Sequence, residues 1–112
     1  MEIRVESRSQ VTVISVSGSV DGTTAGQLVE SFREHVQAGS VCIVGDLSGV
    51  DYTSSAGLRA LLETVKETRQ RGGDLRLAAV RPDVLRILDL AGFTKILKLF
   101  PDVGAAVASF PA

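Results

Sequence analysis

The chain alternates between two hydrophobic periods. Residues 2–7 and 10–17 place apolar side chains at every second position, Ile3 and Val5, then Val11 and Val13, with Ser9-Gln10 between them. That is the pattern of a hairpin buried on one face. From Gly18 to Thr24 (GSVDGTT) the alternation breaks, and Leu28, Phe32 and Val36 then recur at helical spacing. A first helix is predicted from about Thr23 to Gln37, with Asp21, Thr23 and Thr24 as candidate caps and Gly39 beyond its end. Val41-Cys42-Ile43-Val44 is a continuous apolar run, which predicts a buried strand over Val41–Asp46. A short turn-rich passage follows, and Leu58, Leu61, Leu62 and Val65 predict a second helix from about Ser55 to Gln70, with Glu63, Lys66, Glu67 and Arg71 on its wet side.

Gly72-Gly73 turns the chain into an apolar strand over residues 75–80. Pro82 then opens a third helix bearing Val84, Leu85, Leu88 and Leu90, and Gly92 closes it. Phe93 to Phe100 reads as a last short strand, and Pro101-Asp102 introduces a final helix through Val103, Ala106, Val107 and Phe110. The order β-β-α-β-α-β-α-β-α predicts an α/β fold: a mixed, mostly parallel sheet with four helices, its parallel strands joined by crossover helices. Over 112 residues there is no linker, low-complexity tract or internal repeat, so one domain over 1–112 is expected.

Composition narrows the function more than the fold. Twelve Lys and Arg against 13 Asp and Glu give a net charge of −1, which removes the electrostatic argument for nucleic acid or an anionic membrane. The charged start and the lack of any apolar run of bilayer length predict a cytoplasmic protein with protein or small-molecule partners. Cys42, the only cysteine, allows no intrachain disulfide and reads as an inert core residue within a strand. His35, the only histidine, excludes a His-rich metal cluster and reads as a surface residue near the end of the first helix. GDLSG is not a G-x-S-x-G elbow, no G-x-x-x-x-G-K-[ST] loop exists, and no second histidine or cysteine could complete a catalytic group. Neither an enzyme nor a bound cofactor is expected.

The candidate chemistry lies where the third strand feeds the second helix. Thr53, Ser54 and Ser55 precede an apolar-periodic run, where a side-chain oxygen can accept from an unpaired first-turn N–H. Two adjacent serines supply more hydroxyls than one cap needs, and a phosphate on one of them would sit where the helix end favours negative charge. Gly57 either lets another molecule approach the neighbouring hydroxyl or lets the helix pack closely on the strand. Asp46 either holds the serine loop through its amides or caps a turn around Ser48-Gly49. Asp21 is a helix cap or part of a binding surface.

Three blocks carry a resemblance that spans nearly the whole chain: GSVDGTTAGQL (Gly18 to Leu28), DLSGVDYTSSAGLRALL (Asp46 to Leu62) and LRLAAVRPDVLRILDLAGF (Leu75 to Phe93). The chain looks like a STAS domain of the free-standing type that resembles bacterial anti-sigma factor antagonists. The resemblance implies partner switching. The unmodified protein would sequester an anti-sigma factor that is a serine/threonine kinase and so free a sigma factor; phosphorylation of a serine at the start of the second helix would end the binding, with a PP2C-type phosphatase as a further partner. It also implies a partner-binding surface of Asp21, Thr23, Thr53, Ala56, Gly57 and Arg59 on a monomer or weak dimer, with no nucleic acid and no membrane. The well-known antagonists are similar to Asp-Ser-Ser-Gly-Leu at this junction, with the second serine modified. Here Ser54-Ser55-Ala56-Gly57-Leu58 stands instead, and ungapped alignment on Gly-Leu puts Ala56 under the modified serine. The acceptor is then displaced by one residue, to Ser55 or else Ser54, with Thr53 a third choice. Two rivals remain: a non-phosphorylated STAS scaffold, for example beside the ATPase of a lipid-transport complex, and a receiver-like domain phosphorylated on Asp46. For the receiver, Lys95 is available, but the early acidic pair is missing and the opening hairpin fits badly.

Overall fold

A computed structural model describes residues 1–111; Ala112, the last residue of the expected domain, lies outside the described residues. The opening hairpin forms as β1 (Glu2–Arg8) and β2 (Val11–Val20), joined by Ser9 and Gln10 with φ of 51° and 68°. Positive φ at both turn residues is the geometry whose twist matches that of two antiparallel strands. The first crossover is α1 (Ala25–Gln37), which starts later than the spacing predicts because Asp21 and Thr24 organise the preceding turn with their own hydrogen bonds. Then come β3 (Cys42–Thr53), α2 (Ser55–Gln70) and β4 (Asp74–Ala78). The fourth strand stops short of the predicted residue 80, since Ala79 turns the chain with φ of 56° while its N–H donates to the Phe100 carbonyl. After α3 (Pro82–Leu90), a short 3₁₀ turn (Phe93–Lys95) takes up part of the predicted last strand, leaving β5 as Lys98–Phe100. The chain ends in α4 (Val103–Ala108), capped by the Asp102 carboxylate, which accepts from the Ala105 N–H at 2.7 Å.

The strands lie in sequence order, β1-β2-β3-β4-β5, with β1 antiparallel to β2 and every later pair parallel. Each parallel connection therefore carries a helix, as the alternation of periods demands. Two hydrophobic layers result. On one face α1, α2 and α3 bury Leu28, Phe32, Val36, Leu61, Val65 and Leu88 against Ile14, Ile43, Leu75 and Leu77. On the other, the short α4 covers only Val11, Val13, Val44 and Ala78 with Ala106 and Phe110. Cys42 sits half-buried at the rim of that second layer rather than in the middle of a core. His35 is also half-buried rather than on the open surface, its Nδ1 lying 2.7 Å from the Ser31 carbonyl.

The largest departure from the sequence pattern is β3. Its predicted end at Asp46 is its middle, and it runs on to Thr53 beside β2. Pairing slips twice, Ser15 opposite Asp46 but Ser17 opposite Gly49, then Gly18 opposite Val50 but Ser19 opposite Tyr52. Each slip is a bulge that gives β3 one residue more than β2. Ser48-Gly49, which reads as a turn, is the first of these bulges. A Cβ on Gly49 would lie 2.6 Å from the Ser17 Cβ, so only glycine lets the strands close there.

Candidate functional site

β3 delivers the chain to α2 at one end of the sheet, and the serines divide the work there. Ser54 has an extended backbone (ψ 175°) and is the N-cap of α2. Its Oγ accepts from the Gly57 N–H at a long 3.4 Å, and its carbonyl accepts from the Leu58 N–H at 3.0 Å. Its own N–H donates to the Val20 carbonyl at 2.8 Å, tying the junction to the end of β2. Ser55 is the first residue of the helix and is exposed; among the described residues nothing hydrogen-bonds its hydroxyl. One serine builds the turn and the other is left over.

Thr53 and Gly57 support the junction from beneath. Thr53 is only 6% exposed and its hydroxyl donates to the Ser54 carbonyl at 3.3 Å. Gly57 is buried, and a Cβ there would collide with the Thr53 hydroxyl and come within 2.8 Å of a Val20 methyl. Of the two readings of Gly57, the geometry is that of close helix-on-strand packing; its open side faces inward. As positions that a partner or kinase could touch, Thr53 and Gly57 are therefore corrected to supports, and Thr53 is removed as an acceptor by burial. Gly57→Ala is expected to destabilise the domain by about 2 kcal/mol, the overpacking exceeding the gain of about 1 kcal/mol in helix propensity. Urea denaturation measures it, and unchanged or higher stability would show that the helix start has room to spare.

The remaining predicted residues lie around this support. Ala56 is half-buried beside Ser55, and Arg59 is exposed one helical turn further on. Asp21 follows Val20, the residue hydrogen-bonded to Ser54, so the loop before α1 and the serine junction stand side by side. Asp21 closes the turn before α1 rather than capping the helix, whose N-cap position is held by Thr24: its Oδ1 accepts from the Thr23 N–H at 2.9 Å, the Thr23 hydroxyl at 2.7 Å and the Thr24 N–H at 3.2 Å. The Thr23 hydroxyl and amide, followed by the Thr24 groups, hold its carboxyl below the usual carboxylate range. Thr23 itself is exposed at the tip of that loop.

Asp46 stands apart. It lies mid-strand, with one oxygen accepting from the Ser48 N–H at 3.0 Å and the other from the Ser15 hydroxyl at 3.2 Å. It therefore ties the first bulge and does not reach the serine junction. The receiver reading loses its premise, since this carboxylate neither ends a strand nor faces an acidic cluster; among the described residues no group of three potential metal ligands occurs.

Two residues of the junction surface escape the sequence reading. Tyr52 is 49% exposed, and Asp51 accepts from the Ser19 hydroxyl at 2.9 Å across the strand pair. The signal was present in the spacing of Val50 and Thr53, which are buried, around two outward residues; a strand with an extra residue gives that spacing, but so does a turn.

This architecture has a family. The model of the STAS domain matches residues 2–106. The chain belongs to the STAS domain family. It is 32% identical over 110 residues to a Bordetella bronchiseptica protein provisionally named anti-sigma factor antagonist BtrV, covering 98% of this chain and 95% of that one. It is likewise 32% identical over 100 residues to the anti-sigma-F factor antagonist RsfB of Mycobacterium tuberculosis, covering 88% of this chain and 80% of the relative. Among solved structures, an anti-sigma factor antagonist from Mycobacterium paratuberculosis superposes with a TM-score of 0.85 at 30% identity, covering 96% of this STAS domain and 92% of that chain. No helix among the described residues of this STAS domain is long and apolar enough to cross a membrane.

Proposed function

We propose that this STAS protein is an anti-sigma factor antagonist whose binding is switched at Ser55. In the cytoplasm the unmodified form sequesters an anti-sigma factor of the serine-kinase type and so frees a sigma factor. Transfer of the γ-phosphoryl of ATP to the Ser55 Oγ, with loss of the hydroxyl proton and release of ADP, ends the binding, and a PP2C-type phosphatase reverses it by hydrolysis. The observation that carries the reading is the division between the serines: Ser54 is consumed as the α2 cap, while Ser55 is exposed with a hydroxyl that the fold does not use. Asp21 and Thr23, on the loop tied to the junction through Val20, and Ala56 and Arg59, on the first turns of α2, form the docking surface of this reading, with Thr53 and Gly57 buried as its supports. The protein contributes no catalytic group; the kinase and phosphatase do.

The test is phosphotransfer from ATP by the cognate kinase, followed by mass spectrometry of the peptides. A single phosphoryl group on Ser55 is expected, lost in Ser55→Ala and retained in Ser54→Ala. Absence of transfer to either serine overturns the switch and favours the non-phosphorylated scaffold.

A further inference from the structure

β1 is an edge strand. It ends the sheet order, and except for Ile3 all of its residues are exposed, Val5 at 45%. An open edge presents unpaired N–H and C=O groups to any second strand. Which residues offer them follows from the hairpin. With a two-residue turn, Arg8 and Val11 close it as a hydrogen-bonded pair, and such pairs then alternate along the register. Glu2, Arg4, Glu6 and Arg8 therefore turn their backbone groups to β2, and Ile3, Val5 and Ser7 turn theirs outward.

The side chains of the same strand read Glu2, Arg4, Glu6, Arg8 on one face, a strict alternation of sign. A run of one sign would repel a second copy, which is the usual protection of an edge. This alternation does the opposite. With Val5 set opposite Val5 of a second, antiparallel copy, Glu2 faces Arg8, Arg4 faces Glu6, Glu6 faces Arg4 and Arg8 faces Glu2. The backbone groups that meet are those of Ile3, Val5 and Ser7, the ones that point outward. Sliding the pair by two residues places Arg4 opposite Arg4 and Glu2 opposite Glu6, or else Glu6 opposite Glu6 and Arg4 opposite Arg8. A slip of one residue sets the charged face against the apolar one. One long register satisfies backbone, charge and face together.

We propose that two copies of this protein associate through β1, edge to edge, into one continuous sheet about a two-fold axis at Val5. The contact is isologous, as a two-fold requires. Half-exposed Val5 meets its own copy on the helix-covered face, and four ion pairs line the other. Glu2 and Arg4 already touch at 3.1 Å within the strand and are 63% and 80% exposed, so they are free to exchange partners. Two seven-residue strands bury much less than the roughly 1,600 Å² of a standard interface, so the dimer is weak, exchanging and salt-sensitive.

Charge-swapped variants test it by sedimentation velocity over a concentration series at low salt. Wild type is expected to dimerise toward millimolar concentration and to weaken as salt rises. Glu6→Arg sets Arg against Arg4 at two places and is expected to weaken the dimer roughly tenfold or more. Arg4→Glu does the same with acidic residues. An equimolar mixture of those two single variants restores every opposite-sign pair and should form heterodimers although neither variant pairs with itself; the double swap, Arg4→Glu with Glu6→Arg, should self-associate like wild type. Circular dichroism of each variant confirms that these exposed changes leave the fold intact. A wild type that stays monomeric at millimolar concentration, a Glu6→Arg variant that dimerises undiminished, or a mixture no stickier than its components overturns the proposal.

Discussion

With a phosphate on Ser55, the protein is expected to bind its kinase-type partner about a thousandfold more weakly than the unmodified form, and to remain folded. The fold tolerates the charge because Ser55 is exposed at the first position of α2, where unpaired amides and the helix dipole favour an anion. A partner lying flat on the same spot has no such freedom. It must bury a hydrated group carrying about −1.5 to −2 charges without a cation of its own there, a loss of several kcal/mol. Four kcal/mol would suffice for the thousandfold change, since about 1.4 kcal/mol is a factor of ten. No conformational change is required. Calorimetric titration of both forms into the kinase reads the difference, and near-UV and far-UV dichroism check the fold. Ser55→Ala should bind like the unmodified protein. Ser55→Asp, with a single charge, should fall between the two; equal affinity of the Ala and Asp variants would remove the switch.

The second large effect is expected at Asp74→Ala, far from that site. Asp74 is 6% exposed at the start of β4 and accepts from Arg69 Nε at 2.8 Å and from Arg76 Nε at 3.0 Å. Arg76, its side chain only 12% exposed, also donates to the Ser109 carbonyl and hydroxyl at 2.7 and 2.8 Å and lies 4.1 Å over the Phe110 ring. Arg69 reaches the Ile96 carbonyl at 2.7 Å. One carboxylate thus balances two guanidinium groups that fasten the end of α4 and the approach to β5. Removing it leaves Arg76 nearly buried without an anion, which costs about 3–5 kcal/mol, a large part of the ~5–15 kcal/mol that holds a typical domain folded. Urea denaturation should show a midpoint far below wild type. Arg69→Gln, where the side chain is 42% exposed, should cost less than about 1 kcal/mol. If Asp74→Ala were as mild, the cluster would not be holding the C-terminal layer.

These two regions differ in how far the sequence disclosed them. The start of α2 was legible because capping is local: Ser54, Ser55 and Leu58 carry the signal within one turn, and the helix runs from Ser55 to Gln70 as its spacing predicts. Pro82 and Asp102 announced α3 and α4 for the same reason. The Asp74–Arg76–Ser109 cluster was hidden because its members meet only after β4 and α4 have packed, and nothing in their spacing requires it. β3 failed differently. Ser48-Gly49 carries turn chemistry, and the structure uses that chemistry inside a strand, where the glycine makes room for Ser17. Asp46 shifts with it: the apolar run ends at this residue, whereas the strand continues through it to Thr53. Of the three candidate caps before α1, Thr24 holds the N-cap position without a side-chain bond to the helix, and Asp21 instead ties Thr23 and Thr24 into the preceding turn.

The paired slips in β3 carry a consequence for how this protein can change. Parity along a strand decides which side each residue faces, and β3 reaches Thr53 having absorbed a surplus residue at each of two places. Losing one of them would turn Thr53 out from under Ser54 and swing Ser55 away from Asp21, even with every residue of the junction kept. Losing both together would bring the facing back into step. The stretch from Ser48 to Asp51 therefore works as a spacer gauged in whole residues, with Gly49 held to glycine by the close approach of Ser17 and the number of residues held by the facing of Thr53.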